Sequence, residues 1–124
     1  MKVTAEKNEN VANMVFASIY PLYLNRLEKN GRTKDELDQV IKWFTGIDED
    51  TLQTLIDEEV TFRTFFQKAN INPNEHLIKG VVCGYRIEEI VDEFELSKRC
   101  RQMEKLIDEL AKGRKMEKII RSPS

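Results

Sequence analysis

The chain has 124 residues, of which 40% are hydrophobic and 34% charged, and its formal net charge is −2 at pH 7. This length suits one domain that buries a core without disulfides or metal ions. The content of large apolar residues excludes an intrinsically disordered chain. Composition therefore predicts a folded globular protein.

Targeting signals and cysteine usage indicate the compartment. The first 30 residues lack the basic, apolar and small-residue order of a signal peptide. No apolar run reaches the ~18 residues that span a bilayer, so we expect no membrane contact. Cys83 and Cys100 form no metal or redox motif and suit a reducing compartment. We expect a cytoplasmic protein.

The N-terminal third begins with polar sequence and continues with a helix. Residues 1–13 have no sustained helical period, so we predict a mobile N-terminal arm or a frayed helix. Pro21 suits the first turn of a helix, and apolar residues then recur at three- and four-residue steps until Gly31. This helix opens a single helical domain, predicted over residues 14–121.

Capping signals mark the next three helices. Thr33 and Glu36 form a capping box. Asp48 or Asp50 can cap the following helix, and Thr61 can cap a short one. The closely spaced phenylalanines of that short helix are predicted core residues: Phe62, Phe65 and Phe66.

The segment after Asn72 has two alternatives. Asn72 and Pro73 indicate a helix start, and apolar residues continue at helical spacing, so we favour a helix. Gly80 and Gly84, which would share one side of that helix, each weaken it by ~1 kcal/mol relative to alanine. A short strand over residues 79–83 is the alternative.

The last third predicts a long helix, a break at Gly113, a short final helix and a frayed end over residues 122–124. There is no internal repeat and no linker. The sequence therefore predicts a compact all-α bundle of five to seven short helices, with a possible short strand near residues 79–83.

Charge is unevenly distributed along the chain. Residues 35–59 contain nine acids against one lysine, a net charge of −8, whereas residues 98–121 have a net charge of +5. Opposite charges of this kind can dock the two segments on each other or on a second copy. We favour the simpler interpretation, two solvated helix faces.

Helix–turn–helix spacing is present at residues 34–45 and 49–58, but its charge is wrong for DNA. The second helix has four acids and no base, so phosphates would repel it. Nucleic-acid binding is not expected from this motif. The basic C-terminal helices provide an alternative hypothesis, a nucleic-acid-associated protein.

Catalytic motifs are nearly absent. There is no phosphate-binding loop, and a single histidine, His76, cannot make a typical zinc site, so we predict no metal and no cofactor. Cys83 lies among apolar residues and is expected to be buried and inert, and Cys100 is expected to be a packing residue. A Cys83–His76 pair is conceivable on one helix, so an enzyme with Cys83 as nucleophile is a third hypothesis.

Three segments of the sequence are similar to a known family. They contain YPLY and GRTKDE, then NPN and IKGVVCGYR, then LIDELAKG and MEKI. In this order, from Met14 to Ser122, they resemble the bacterial family called domain of unknown function 2200. The resemblance implies a short, mostly helical, cytoplasmic bacterial protein, and it implies no activity.

Our leading hypothesis is a noncatalytic interaction module that binds a protein partner, or itself as a homo-oligomer, through a helical face. Polar residues within the family phrases are the candidates for a shared binding surface. They are Tyr20, Tyr23, Arg32, Lys79 and Arg86.

Overall fold

The structure, a computed structural model, describes residues 2–121, so the predicted frayed end at 122–124 lies outside the described residues. Within this range the chain forms seven α-helices and one short antiparallel hairpin, which confirms the all-α class. The helices are α1 (Ala5–Ala12), α2 (Phe16–Lys29), α3 (Lys34–Thr45), α4 (Glu49–Asp57), α5 (Phe62–Gln67), α6 (Glu95–Ala111) and α7 (Met116–Ile119).

The hairpin lies between α5 and α6 and is flanked by short 3₁₀ segments. Its strands are β1 (Val81–Val82) and β2 (Tyr85–Arg86). The 3₁₀ segments are Pro73–Leu77, Ile87–Glu89 and Asp92–Phe94.

The predicted caps are confirmed. The Thr33 hydroxyl accepts a hydrogen bond from the Glu36 N–H at 3.2 Å, and the Glu36 carboxylate accepts one from the Thr33 N–H at 3.0 Å. Asp48, rather than Asp50, caps α4 by accepting from the N–H three residues later at 2.8 Å. Thr61 caps α5 in the same way. These contacts are local, and for that reason the sequence predicts them.

Helix α1 occupies the region for which the sequence predicted a mobile arm or a frayed helix. Its last residue, Ala12, is buried, and α1 packs against α6. The Asn8 side-chain oxygen accepts a hydrogen bond from the Ser97 N–H at 3.0 Å, in the first turn of α6. Since α6 has no side-chain cap of its own, a residue of α1 performs that role.

The segment after Asn72 is a 3₁₀ turn followed by the hairpin, so the favoured helix was wrong and the strand near residues 79–83 was the correct alternative. Gly80, Cys83 and Gly84 have φ angles of 107°, 52° and 81°. A right-handed helix requires negative φ at every residue. Gly80 therefore lies at the bend before β1 and Gly84 in the turn between β1 and β2, so the two glycines do not share a helix side.

The core forms around α6, which contacts α1, α2, α3, α5, α7 and the hairpin. Phe16, at the start of α2, stacks on Phe65 with ring centroids 4.1 Å apart and meets Phe62 edge-on at 5.6 Å. An antiparallel bridge between Val15 and Thr61 joins the starts of α2 and α5. Phe62 and Phe65 are buried core residues, as predicted.

Two leucines on α2 provide a matched test of this packing. Leu27 is completely buried, whereas Leu22 is 60% exposed. Leu27→Ala should lower the free energy of unfolding by about 2–5 kcal/mol, because it removes buried methyl groups and leaves a cavity. Leu22→Ala should change it by no more than about 0.5 kcal/mol. Urea denaturation measures both, and similar losses in the two variants would contradict this orientation of α2.

Two glycines that follow helices allow a test of backbone geometry. Both Gly31 and Gly46 have positive φ, at 78° and 67°. A Cβ at Gly46 would lie 2.9 Å from the carbonyl oxygen of Asn70, whereas a Cβ at Gly31 would meet nothing within 4 Å. Gly31→Ala should therefore cost about 1 kcal/mol of backbone strain. Gly46→Ala should cost at least about 1 kcal/mol more in the same denaturation assay. Equal losses would rule out the close approach at Asn70.

Candidate functional site

The five predicted surface residues occupy different environments. The Tyr20 hydroxyl is buried and donates a hydrogen bond to the buried Asp38 of α3. Burial, followed by this carboxylate, raises the pKa of Tyr20 well above its usual value. Arg32 pairs with Glu36 at 2.8 Å beside the capping box. Both side chains therefore hold α2 and α3 in place.

The other three predicted residues lie at or near the hairpin. Lys79 and Arg86 are exposed, before β1 and within β2, and Arg86 lies 3.6 Å from Glu88. The Tyr23 hydroxyl is buried and has no hydrogen-bond partner among residues 2–121. Of the five, only Lys79 and Arg86 are exposed to solvent.

A polar cluster forms where α6 meets the hairpin, and we call it the Glu104 junction (Cys83, Tyr85, Cys100, Arg101 and Glu104). The Glu104 carboxylate accepts from Arg101 Nη1 at 2.6 Å, from Cys83 Sγ at 3.4 Å and from Cys100 Sγ at 3.8 Å. The Arg101 guanidinium lies 4.5 Å from the centroid of the Tyr85 ring. Sequence reasoning missed this cluster, because its members are brought together only by tertiary packing.

The electrostatics of the Glu104 junction keep both thiols protonated. Partial desolvation, and then the negative charge of Glu104, raise the pKa of the Cys83 thiol, whereas full burial and the same negative charge raise the pKa of Cys100. Cys83 is exposed, which corrects the predicted buried position, and Cys100 is buried as predicted. A nucleophilic cysteine needs a lowered pKa, so Glu104 has the opposite effect to the one required.

The only histidine takes no part in this cluster. His76 lies in the 3₁₀ segment Pro73–Leu77, where its Nδ1 is 2.9 Å from the carbonyl oxygen of Pro73. Because the segment is not one helix, the two-turn spacing that made a Cys83–His76 pair conceivable does not exist. The contacts of His76 are those of a turn residue.

Six of the nine bases in residues 98–121 form ion pairs with nearby acids. Their acidic partners all lie outside residues 35–59, so no ion pair in the described range docks the two charged segments on each other. The pairs are Lys98–Asp92, Arg99–Glu75, Arg101–Glu104, Lys112–Asp108, Arg114–Glu109 and Arg121–Glu109.

A depression of about 330 Å³ lies between α1, α5 and α6. Phe66, Ile71 and Leu96 form its apolar floor. The two arginines on its rim are already paired, Arg63 with Glu9 at 2.7 Å and Arg99 with Glu75 at 2.9 Å. An anionic ligand would therefore have to compete with existing ion pairs.

The outer face of α2 (Ser18, Pro21, Leu22 and Asn25) is the remaining distinctive surface. With successive helical residues about 100° apart, these four lie within an arc of about 100°, and all four are exposed. Residues 10–25 contain no charged side chain, in a chain that is 34% charged. The absence of charge is visible in the sequence, but only the orientation of α2 shows which of these residues face solvent.

No group of three or more His, Cys, Asp or Glu side chains within residues 2–121 is arranged to hold a metal ion. None of the helices in the described part of the chain is both long enough and apolar enough to cross a membrane.

Residues 10–121 match the family described as "Uncharacterized protein conserved in bacteria (DUF2200)". The chain belongs to this family. This confirms the resemblance found in the sequence. The chain is also similar to the crystal structure of uncharacterized protein SP1917, with a TM-score of 0.83 and 34% identity over 90% of this chain and 91% of that one. No curated protein matches the chain.

The Glu104 junction makes a testable prediction about Cys83. Glu104→Gln should lower the pKa of Cys83, because the carboxylate charge and its hydrogen bond both favour the protonated thiol. More thiolate is then present at a given pH, so alkylation by iodoacetamide should be about three- to tenfold faster between about pH 7 and pH 9. Intact-mass spectrometry measures the rate.

Glu95→Gln is the control for this experiment, because Glu95 is exposed on the same helix and pairs with Arg99 instead. Its alkylation rate should equal that of the unmodified protein. Cys100 should stay unlabelled until the protein unfolds, since it is buried. An unchanged or slower rate in Glu104→Gln would contradict the electrostatic role of Glu104.

Proposed function

We propose that this protein is a noncatalytic interaction module that binds a protein partner, either another protein or a second copy, through the outer face of α2. One observation carries the proposal: an exposed helix face without charge in a highly charged chain. The buried centres of protein interfaces are depleted of charged residues. Leu22, 60% exposed, is the most exposed large hydrophobic residue of the described range and lies midway along the length of this face.

Contacts outside α2 favour the interaction module over the two other hypotheses, an enzyme with Cys83 as nucleophile and a nucleic-acid-associated protein. The raised pKa of Cys83 and its neighbouring carboxylate argue against a nucleophile. The ion pairs along α6 offset much of the positive charge that a nucleic acid would need. Both cysteines are free, which fits a reducing compartment, and we propose that the protein acts in the cytoplasm.

Site-specific photo-crosslinking in living cells tests the proposal. A benzoyl-phenylalanine placed at Leu22 should yield a covalent adduct with a protein, because the residue would lie inside the interface. The same probe at Val91, which is 50% exposed on the loop before α6, is the matched control. Both positions accept a large side chain without disturbing the core.

The expected result is an adduct from position 22 that is absent or much weaker from position 91. An adduct with any protein, including a second copy, supports an interface on α2. Equal crosslinking from both positions, or none from position 22, would contradict the proposal.

A further inference from the structure

The two cysteines of the chain meet at one carboxylate. Cys83, in the turn between β1 and β2, donates a hydrogen bond to Glu104 Oε2 at 3.4 Å, and Cys100, on α6, donates one to Glu104 Oε1 at 3.8 Å. Both oxygens belong to the same carboxyl group, so only that group and its two hydrogen bonds separate the sulfurs. The thiols are therefore neighbours in space although they come from different elements of the fold.

The two thiols differ in their access to solvent and in their backbone. Cys83 is exposed, whereas Cys100 is 4% exposed. Cys83 has a φ of 52°, in the left-handed region that strains a residue with a Cβ. A short exposed turn moves more easily than a helix packed in the core. Cys83 is therefore the thiol that a reagent in solution reaches first, and the one that can move towards the other.

Glu104 does not depend on the two thiols for its hydrogen bonds. Its carboxylate also accepts from Arg101 Nη1 at 2.6 Å, and this ion pair lies within α6. If both thiols lost their protons, the carboxylate would still have the guanidinium as its partner. The loss of the two S–H donors therefore leaves no unpaired charge at the Glu104 junction.

We infer that Cys83 and Cys100 form a reversible disulfide, which connects the hairpin to α6 when a small-molecule disulfide such as oxidised glutathione accumulates. First, the Cys83 sulfur attacks the small disulfide, whose S–S bond breaks and releases one small thiol. The Cys100 sulfur then attacks Cys83 in the mixed disulfide, which forms the Cys83–Cys100 bond and releases the second small thiol. The protein loses two electrons and two protons, and the two released thiols carry them.

The surroundings of Cys83 make this a slow switch and not a catalytic site. The thiolate is the attacking species, and partial desolvation, followed by the charge of Glu104, raises the pKa of Cys83. A catalytic nucleophile must react in every turnover, whereas a switch reacts once for each change of conditions. The second step is intramolecular, so proximity accelerates it and the mixed disulfide does not accumulate. Disulfides of a reducing compartment are usually transient and often sense redox changes.

Intact-mass spectrometry of the purified full chain, kept folded with excess oxidised glutathione, tests the disulfide. The product should be about 2 Da lighter than the reduced chain, and after unfolding without reductant neither cysteine should react with iodoacetamide. Excess reduced glutathione should restore both thiols. A product that keeps an attached glutathione, a disulfide between two chains, or no reaction of the folded chain would each overturn the inference.

Single variants, each checked for folding by circular dichroism, test the order of the two steps. Cys100→Ala should stop at the mixed disulfide, heavier by one attached glutathione. Cys83→Ala should not react while folded, because Cys100 is buried. If Cys83→Ala reacts as fast as the unmodified chain, the attack begins at Cys100 and the proposed order is wrong.

A variant of the carboxylate tests its control over the rate. Glu104→Gln should form the disulfide about threefold faster, because the gain in thiolate is partly offset by its weaker nucleophilicity. Glu95→Gln, the matched control on the same helix, should react at the unmodified rate. Equal rates in all three chains would contradict the restraint by Glu104. These measurements do not involve the outer face of α2, so they test the disulfide separately from the proposed function.

Discussion

The burial of α6 is the constraint on which the rest of the structure depends. This helix runs through the middle of the fold, and it carries polar residues that the surrounding elements cover. A buried polar group without a partner costs about 1–3 kcal/mol, and for three of these residues a neighbouring element supplies the partner. The partners come from different parts of the chain: Glu75 for Gln102, Arg26 for Asp108, and Arg121 for Glu109.

The inner and outer faces of α2 differ in their role within the fold. Its inner side is committed to the fold, through the buried Leu27 and the Tyr20–Asp38 hydrogen bond. Arg26 at its edge meets Asp108, where burial alone would raise the carboxyl pKa, yet Arg26 and Lys112 hold that pKa below its usual value. Only the outer face of α2 has no packing role inside the molecule. The proposed interface follows from this division.

In the Glu104 junction, tertiary packing places potentially reactive side chains in surroundings that favour their unreactive form. Two thiols, a guanidinium and a carboxylate within hydrogen-bonding range resemble the parts of a catalytic site. Their mutual electrostatics favour protonated thiols, and the carboxylate accepts from all three neighbours. Joining the hairpin to α6 accounts for these contacts. The same side chains that suggest chemistry in a sequence thus serve as a connection between elements.

The sequence by itself determined the helices whose signals are local. Thr33 and Glu36, Asp48, and Thr61 act on backbone groups within one turn, and the predicted starts of α3, α4 and α5 were correct. Tertiary structure decided the hairpin, because Gly80 and Gly84 adopt positive φ where helical periodicity predicted a helix. It also decided which members of the uncharged run 10–25 face solvent. Such choices depend on contacts between residues far apart in the chain, and a pattern with a range of three or four residues contains no information about them.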